Sequence, residues 1–327
     1  MSVLNVAVWG IGSHAQRNIL PALAACPGIR LHGICSRNPA VTARVREQFR
    51  CEVWSEPAAM LAAPDVDVVY VSTPTGLHAA HGEAVLRAGK HLWGEKPLVE
   101  NSRQASSLVE LSRERKVTVA EGFMFLYHPQ FDRLRGLMRS ERLGRVHTIA
   151  CRFGIPPLER PGFRADPELG GGALLDVGCY MIATSVALFP DTEPAIVSAE
   201  ILTAPDSRVD TAGRAMLRYP DDVAVLLEWR TNCAYRNDID LWGTAGCVTS
   251  DRIFSKPADY VPLFRFRDLR GQEQCEHGLP ENHFVAMFAA FRALIDDPIA
   301  AEDSRQLIAR RARLLDRIRA YSKAGAS

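Results

Sequence analysis

The sequence has no excess of either charge: 39 Lys and Arg stand against 38 Asp and Glu, a formal net charge of +1 at pH 7. Such a balance excludes the broad basic surface that nucleic acid or an anionic membrane would require. It also has no C-x-x-C pair. The eight cysteines sit singly at 26, 35, 51, 151, 179, 233, 247 and 275, in a chain of 327 residues that is far longer than a disulfide scaffold. They read as reduced core cysteines. Long apolar runs are missing too, and the opening "MSVLNVAVWG" has no basic segment and meets a glycine before a signal sequence could form. That opening reads as a first strand, and the protein as cytoplasmic. His78 and His81 have helical spacing, but no nearby carboxylate or thiol pair completes a ligand set, so no metal is expected.

What is present is ordinary globular material, 47% hydrophobic and 24% charged, and long enough for two domains. The first β-branched run leads into Gly10-x-Gly12-x-x-Ala15 and then a helical pattern. Gly10 permits a tight turn, Gly12 lets backbone approach a diphosphate, and Ala15 allows close helix–strand packing. The N–H groups at Ser13 and His14 then face the phosphates from the helix start. Strands near 65–73, 90–95 and 117–123 alternate with helices near 39–49, 77–88 and 102–115, which predicts a doubly wound parallel sheet. Ligands of such sheets sit beyond the carboxyl ends of the strands. Thr73 and Pro74 fall at one such end, with His78 just after, and Glu95, Lys96 and Pro97 at another.

An acid at the end of the second strand would select NAD by holding the ribose 2′-hydroxyl. This chain has Ser36 and Arg37 there, a hydroxyl beside a guanidinium, which suits a 2′-phosphate and so NADP(H).

The Gly-rich turn, "STPTGLH" at 72–78, "GEKPL" at 94–98 and "GGGALLDVGCY" at 170–180 follow one another in order. Together they resemble the glucose–fructose oxidoreductase / inositol dehydrogenase (Gfo/Idh/MocA) family over most of the chain. The resemblance implies an α/β protein: a Rossmann domain over 1–122, then a substrate-binding and oligomerisation domain over 123–327 with a large open, mostly antiparallel sheet. The C-terminal helices would be able to pack back on the Rossmann domain. The resemblance also implies that Lys96 lies at the catalytic centre, before a proline whose peptide bond is often cis.

In the second half, a strand over 144–155, a loop over 156–172 and a helix over 173–189 precede strands near 195–203, 211–219, 223–231 and 236–242. Helices return near 281–295 and 303–322. Asp176, Tyr180 and Thr184 recur at i,i+4 and should share one helix face. By residue type alone, Tyr180 also fits a half-buried core tyrosine. Many family members carry histidine at the position of Tyr180, and a subgroup reducing sugars or diols carries tyrosine. Thr184 stands where an Asp is common, so the histidine-type relay does not carry over.

"CRFGIPPLERPGFR", "GGGALLDVGCY" and "AYRNDIDLWGT" look most like NDP-hexose 3-ketoreductases of deoxysugar biosynthesis. That resemblance implies reduction of the C-3 ketone of a nucleotide-linked 4-keto sugar by NADPH. Tyr180 or Lys96 would be the acid, and Asp176 would orient a substrate hydroxyl or the lysine. A dehydrogenase of a free sugar, polyol or trans-dihydrodiol, and a non-catalytic NADP sensor, are the alternatives. Trp229 and Trp242 are apolar bulk that a monomer would leave partly exposed, which points to a homodimer or homotetramer.

Overall fold

The computed structural model describes residues 3–325. The chain divides into two compact units. One holds the residues up to Phe123 together with Phe284–Ala312, the other Met124–His283 together with the residues from Arg313 on.

In the first unit six strands form a parallel sheet: β1 (Leu4–Trp9), β2 (Ile29–Cys35), β3 (Glu52–Trp54), β4 (Val68–Val71), β5 (His91–Gly94) and β6 (Val119–Glu121). Their order is β3-β2-β1-β4-β5-β6, in which the direction of winding reverses beside β1. Every residue of β4 is buried, as expected for a strand covered on both faces. The helices α1 (Leu20–Ala25), α2 (Pro39–Phe49), α3 (Pro57–Ala62), α4 (His78–Arg87) and α5 (Ser102–Glu114) connect them. A π-helical turn, Ala15–Ile19, leads into α1. β3 and α3 went unanticipated in the sequence, being too short to show a period.

The second unit carries α6 (Pro129–Leu137) and α7 (Cys179–Leu188), and an eight-stranded sheet. Its strands are β7 (Val146–Gly154), β8 (Ala195–Leu202), β9 (Ala212–Tyr219), β10 (Val223–Arg230), β11 (Arg236–Gly243), β12 (Gly246–Asp251), β13 (Leu263–Asp268) and β14 (Glu273–His277). The order is β14-β13-β12-β11-β7-β10-β9-β8, antiparallel except where β10 pairs with β7. Alternation along β10 buries Val223, Val225, Leu227 and Trp229 and turns Leu226 and Glu228 outward.

Trp229 corrects the sequence expectation. It is 1% exposed, because Gly178 and Gly213 leave room for its ring: a Cβ on Gly213 would lie 2.3 Å from it, and one on Gly178 3.0 Å. Trp242, by contrast, is 56% exposed. The cysteines also divide: Cys26, Cys35, Cys51, Cys151 and Cys179 are core, Cys233 and Cys247 half-buried, and Cys275 exposed on edge strand β14.

The C-terminal helices α8 (His283–Asp296) and α9 (Pro298–Ala324) follow. In the first unit Phe288 of α8 stacks on Trp93, and the Phe291 ring packs against it at a tilt. The last turns of α9 lie in the second unit and cap the edge strand β8: the Tyr321 hydroxyl donates to the Val197 carbonyl, and the Ile201 N–H donates to Ser322 Oγ.

Candidate active site

In the first unit the candidate residues gather at the carboxyl ends of β1, β2, β4 and β5. Gly10 has φ 95°, and a Cβ there would lie 2.8 Å from the Ser72 carbonyl oxygen and Thr73 Cγ2. A side chain is excluded both by conformation and by space. Around Gly12 nothing lies within 4 Å of a Cβ, so the backbone there is open to a ligand. The helix that follows leaves its first N–H groups, at Ser13, His14 and Ala15, without helical partners. Such a turn has the open backbone and free N–H groups that a diphosphate requires. At the end of β2, Ser36 Oγ accepts from the Asn38 N–H (3.3 Å), and Asn38 caps α2 through Ala40 and Val41. Ser36 and exposed Arg37 are thus set on a rigid corner with no carboxylate between them. The residues present fit a nicotinamide dinucleotide carrying a 2′-phosphate.

The Glu95-Lys96-Pro97 turn is pinned from several directions. The Lys96–Pro97 peptide is cis. The Glu95 N–H donates to the Val71 carbonyl (2.9 Å) and the Leu98 N–H to Glu121 Oε1 (2.9 Å). Glu121 Oε2 in turn accepts from Arg311 Nε at 2.7 Å, in an ion pair with side chains 3% and 9% exposed. Glu95 Oε1 accepts from the Tyr70 hydroxyl (2.7 Å) and lies 3.1 Å from His14 Nε2. Burial by itself would push the Glu95 pKa up. The charge and hydrogen bond of His14, the Tyr70 bond and the Lys96 charge outweigh it and hold the carboxyl at about 2. Glu95 is therefore an anion bound into the scaffold, and half-buried Lys96 follows it directly.

His78 has a different place from the one expected. Its ring is 2% exposed, with Nδ1 2.8 Å from the Pro97 carbonyl oxygen and Nε2 2.7 Å from that of Thr73. Both nitrogens are turned to the protein backbone, so the ring has none for a cofactor; His78 ties the Thr73–Pro74 loop to the Lys96–Pro97 turn. Burial pulls its pKa down against the pull of the two carbonyls. His81, considered in the sequence only as a metal ligand, stacks on Trp9 (centroids 4.0 Å, 16° between planes) and bonds Thr73 Oγ1 at 3.0 Å. Burial, then His78 and Arg37, lower its pKa.

In the second unit, Tyr180 is 6% exposed among Phe125, Phe153 and Phe254, with ring centroids 5.3–5.8 Å away. Its hydroxyl approaches Met124 Sδ at 4.0 Å, and its carbonyl accepts from Thr184 Oγ1 at 2.8 Å. A π-helical turn, Leu174–Gly178, precedes α7.

Asp176 is also already engaged. Its Oδ2 accepts from Arg164 Nε at 2.8 Å. Arg164 belongs to the segment before the helix, where its carbonyl accepts from the Gly172 N–H (3.0 Å). Asp210 completes the support by accepting from the Leu174 N–H at 2.6 Å. Sequence reasoning missed Arg164, Asp210, Tyr70 and Asn18. For Arg164 the only signal was a basic residue in the quoted segment "ERPGFR".

Residues 4–123 match the oxidoreductase family model with an NAD-binding Rossmann fold, and 131–249 match the GFO/IDH/MocA C-terminal domain. The dTDP-3,4-didehydro-2,6-dideoxy-alpha-D-glucose 3-reductase of Saccharopolyspora spinosa is 32% identical over 99% of this chain and 99% of its own. The trans-1,2-dihydrobenzene-1,2-diol dehydrogenase of Xenopus laevis is 29% identical over 77% of this chain and 78% of its own. Among solved structures, a 3-ketoreductase from Actinomadura kijaniata in complex with NADP and TDP-benzene matches with a TM-score of 0.90 and 32% identity, covering 97% of each chain. On these matches and on the two sheets described above, the chain is a member of the GFO/IDH/MocA family of oxidoreductases.

Proposed function

We propose that this protein is an NADPH-dependent reductase of the C-3 keto group of a nucleotide-linked 4-keto deoxysugar. The observation that carries the reading is the match, nearly end to end, to a dTDP-sugar 3-reductase and to a 3-ketoreductase in complex with NADP. The Ser36–Arg37 corner and the pinned Lys96 turn support it.

When bound, the nicotinamide supplies the hydride; the protein's part is to orient and polarise. The Gly10–Ala15 turn holds the diphosphate, Ser36 and Arg37 the 2′-phosphate, and Thr73, Pro74 and Pro97 the walls of the crevice. Lys96 sets a cation against the carbonyl oxygen on which negative charge develops. Tyr180, its phenol among apolar rings, is the acid that protonates that oxygen, with Lys96 able to donate in its place. Asp176, oriented by Arg164, holds a substrate hydroxyl.

The reading includes a cytoplasmic homodimer or homotetramer. What supports assembly is the outer face of the second unit's sheet, where the register rows Met216–Leu226–Ala150–Asp240 and Ala224–Thr148–Trp242 bring Leu226 and Trp242 out on one side.

A second reading, a diol or free-sugar dehydrogenase, is favoured by the similarity to the Xenopus laevis enzyme. Loss of NADPH absorbance with dTDP-linked 3,4-diketo-2,6-dideoxy sugars, set against NADPH formation from trans-dihydrodiols and free aldoses, decides between them. Turnover confined to the diols or aldoses would overturn the proposal. NADPH binding with no turnover of any substrate would mark a sensor.

A further inference from the structure

At the end of β12 the second unit builds a cationic corner that the reaction just described leaves unused. Arg252 follows the strand directly with φ 48°, a left-handed conformation that favours glycine. Its N–H donates to the Asn237 carbonyl at 2.6 Å, which holds the bend. Strain of this kind persists where the surroundings over-determine it, and it gathers at ligand sites. The exposed guanidinium stands over two phenol rings, 5.6 Å from the centroid of Tyr235 and 5.8 Å from that of Tyr260. Among the described residues no carboxylate pairs with it. The neighbouring acid, Asp251, has its Oδ1 taken by the Tyr260 hydroxyl at 2.5 Å. The charges of Arg252 and Arg265 both reach that phenol, so the corner is left positive.

Tyr235 is fixed in place but open. Asn237, 4% exposed, donates its amide to the Tyr235 hydroxyl (2.9 Å) and to the Ser255 carbonyl (3.2 Å), and accepts from the Phe254 N–H (2.9 Å). One buried amide thus ties the tyrosine to the loop that follows Arg252. The Tyr235 ring itself remains 45% exposed. The corner also lies close to the reacting end of the unit. Asn237 pairs with Phe153, whose ring meets Tyr180 edge-on at 5.3 Å, and the Phe254 ring lies 5.8 Å from Tyr180. Arg252 is two residues from Phe254, at most about 7 Å along the chain.

We propose that Arg252 and Tyr235 form the subsite for the nucleoside diphosphate of the substrate, the guanidinium holding a phosphate and the Tyr235 ring stacking on the base. The inference rests on the reading that the substrate is a nucleotide-linked sugar. A guanidinium presents paired N–H donors that match phosphate oxygens. A phenol already fixed by its hydroxyl offers a stacking face at little further loss of freedom. A free sugar or a dihydrodiol carries neither phosphate nor base and gains nothing from this corner.

Isothermal titration with dTDP and with thymidine as probes tests the subsite. Arg252→Gly suits the left-handed bend and so keeps the fold. It should weaken dTDP binding about tenfold or more and leave thymidine unchanged. Arg252→Lys, which keeps the charge and loses the fork, should fall between. Tyr235→Leu should weaken both probes by the same factor, about fivefold or more. None of these variants should move the NADPH Kd. With a dTDP-linked 3,4-diketo-2,6-dideoxy sugar they should raise KM far more than they lower kcat, as expected for binding shared by ground and transition states. Equal dTDP binding by wild type, Arg252→Gly and Tyr235→Leu would overturn the subsite and leave the nucleotide-sugar reading standing. A wild type that binds no dTDP and turns over only free aldoses or diols would overturn both.

Discussion

Replacing Arg311 with methionine should destabilise the protein far more than the loss of one ion pair suggests. Glu121 is 3% exposed at its side chain and has two partners: Arg311 on Oε2 at 2.7 Å and the Leu98 N–H on Oε1 at 2.9 Å. Methionine fills much of the arginine stem's volume but leaves a carboxylate buried beside an apolar thioether. Breaking a buried pair from one side costs about 3–5 kcal/mol, because the remaining charge is neither solvated nor compensated. For a protein of this size that corresponds to a Tm lower by roughly 10 °C. Removing both charges, as Glu121→Leu with Arg311→Met, should recover most of the loss. It should remain about 1–3 kcal/mol short, since the Leu98 N–H is then buried without an acceptor. Urea denaturation followed by tryptophan fluorescence reads all three proteins. A single variant as stable as wild type, or a double variant less stable than the single, would refute the account of how the Lys96 turn is held.

Three further outcomes follow from the structure. Lys256 is buried with its ammonium on the Ile253 carbonyl (2.9 Å), and desolvation pulls its pKa down to about 7. Protonation is therefore penalised by folding. The penalty is full below about pH 7 and fades as pH rises toward the ordinary lysine value. Lys256→Met should stabilise the protein by on the order of 3 kcal/mol near neutral pH and by much less near pH 10; a neutral or destabilising effect at pH 7 in urea titrations would contradict this. Arg37→Asp should weaken NADPH binding about tenfold or more relative to NADH, as expected for losing a charge-assisted bond, and an unchanged Kd ratio would show that another group reads the phosphate. Trp242→Glu should shift light scattering toward the monomer mass of 36.1 kDa; wild type already running at that mass would remove the basis for an oligomer.

Features carried by local chemistry could be read from the sequence. Gly10 sits at positive φ because turn residues announce themselves, and α2 falls on Pro39–Phe49 because its period and its Asn38 cap are local. The alternation of β10 exposes Leu226 and buries Val225 for the same reason. Short elements escaped: β3 has three residues, and edge strand β14 is mostly exposed and shows no alternation. Nothing local signals that β10 runs parallel to β7, or that Gly178 and Gly213 open a space for Trp229.

The site followed the same division. Lys96 and Tyr180 stood out by motif, but the partners that define their surroundings come from distant sequence: His14 for Glu95, Arg311 for Glu121. Nothing local signals the π-helical turn at Leu174–Gly178, and Arg164 engages Asp176 from a segment without regular period.

The central claim is that Lys96 serves the chemistry and not the fold or the cofactor, and single-turnover reduction of a dTDP-linked 3,4-diketo-2,6-dideoxy sugar by the NADPH-loaded enzyme tests it most directly. Lys96→Met should bind NADPH with nearly the wild-type Kd, since the Gly10–Ala15 turn holds the phosphates, and should reduce the sugar slower by a factor on the order of 10² or more. Wild-type turnover in Lys96→Met, with NADPH bound, would contradict the account.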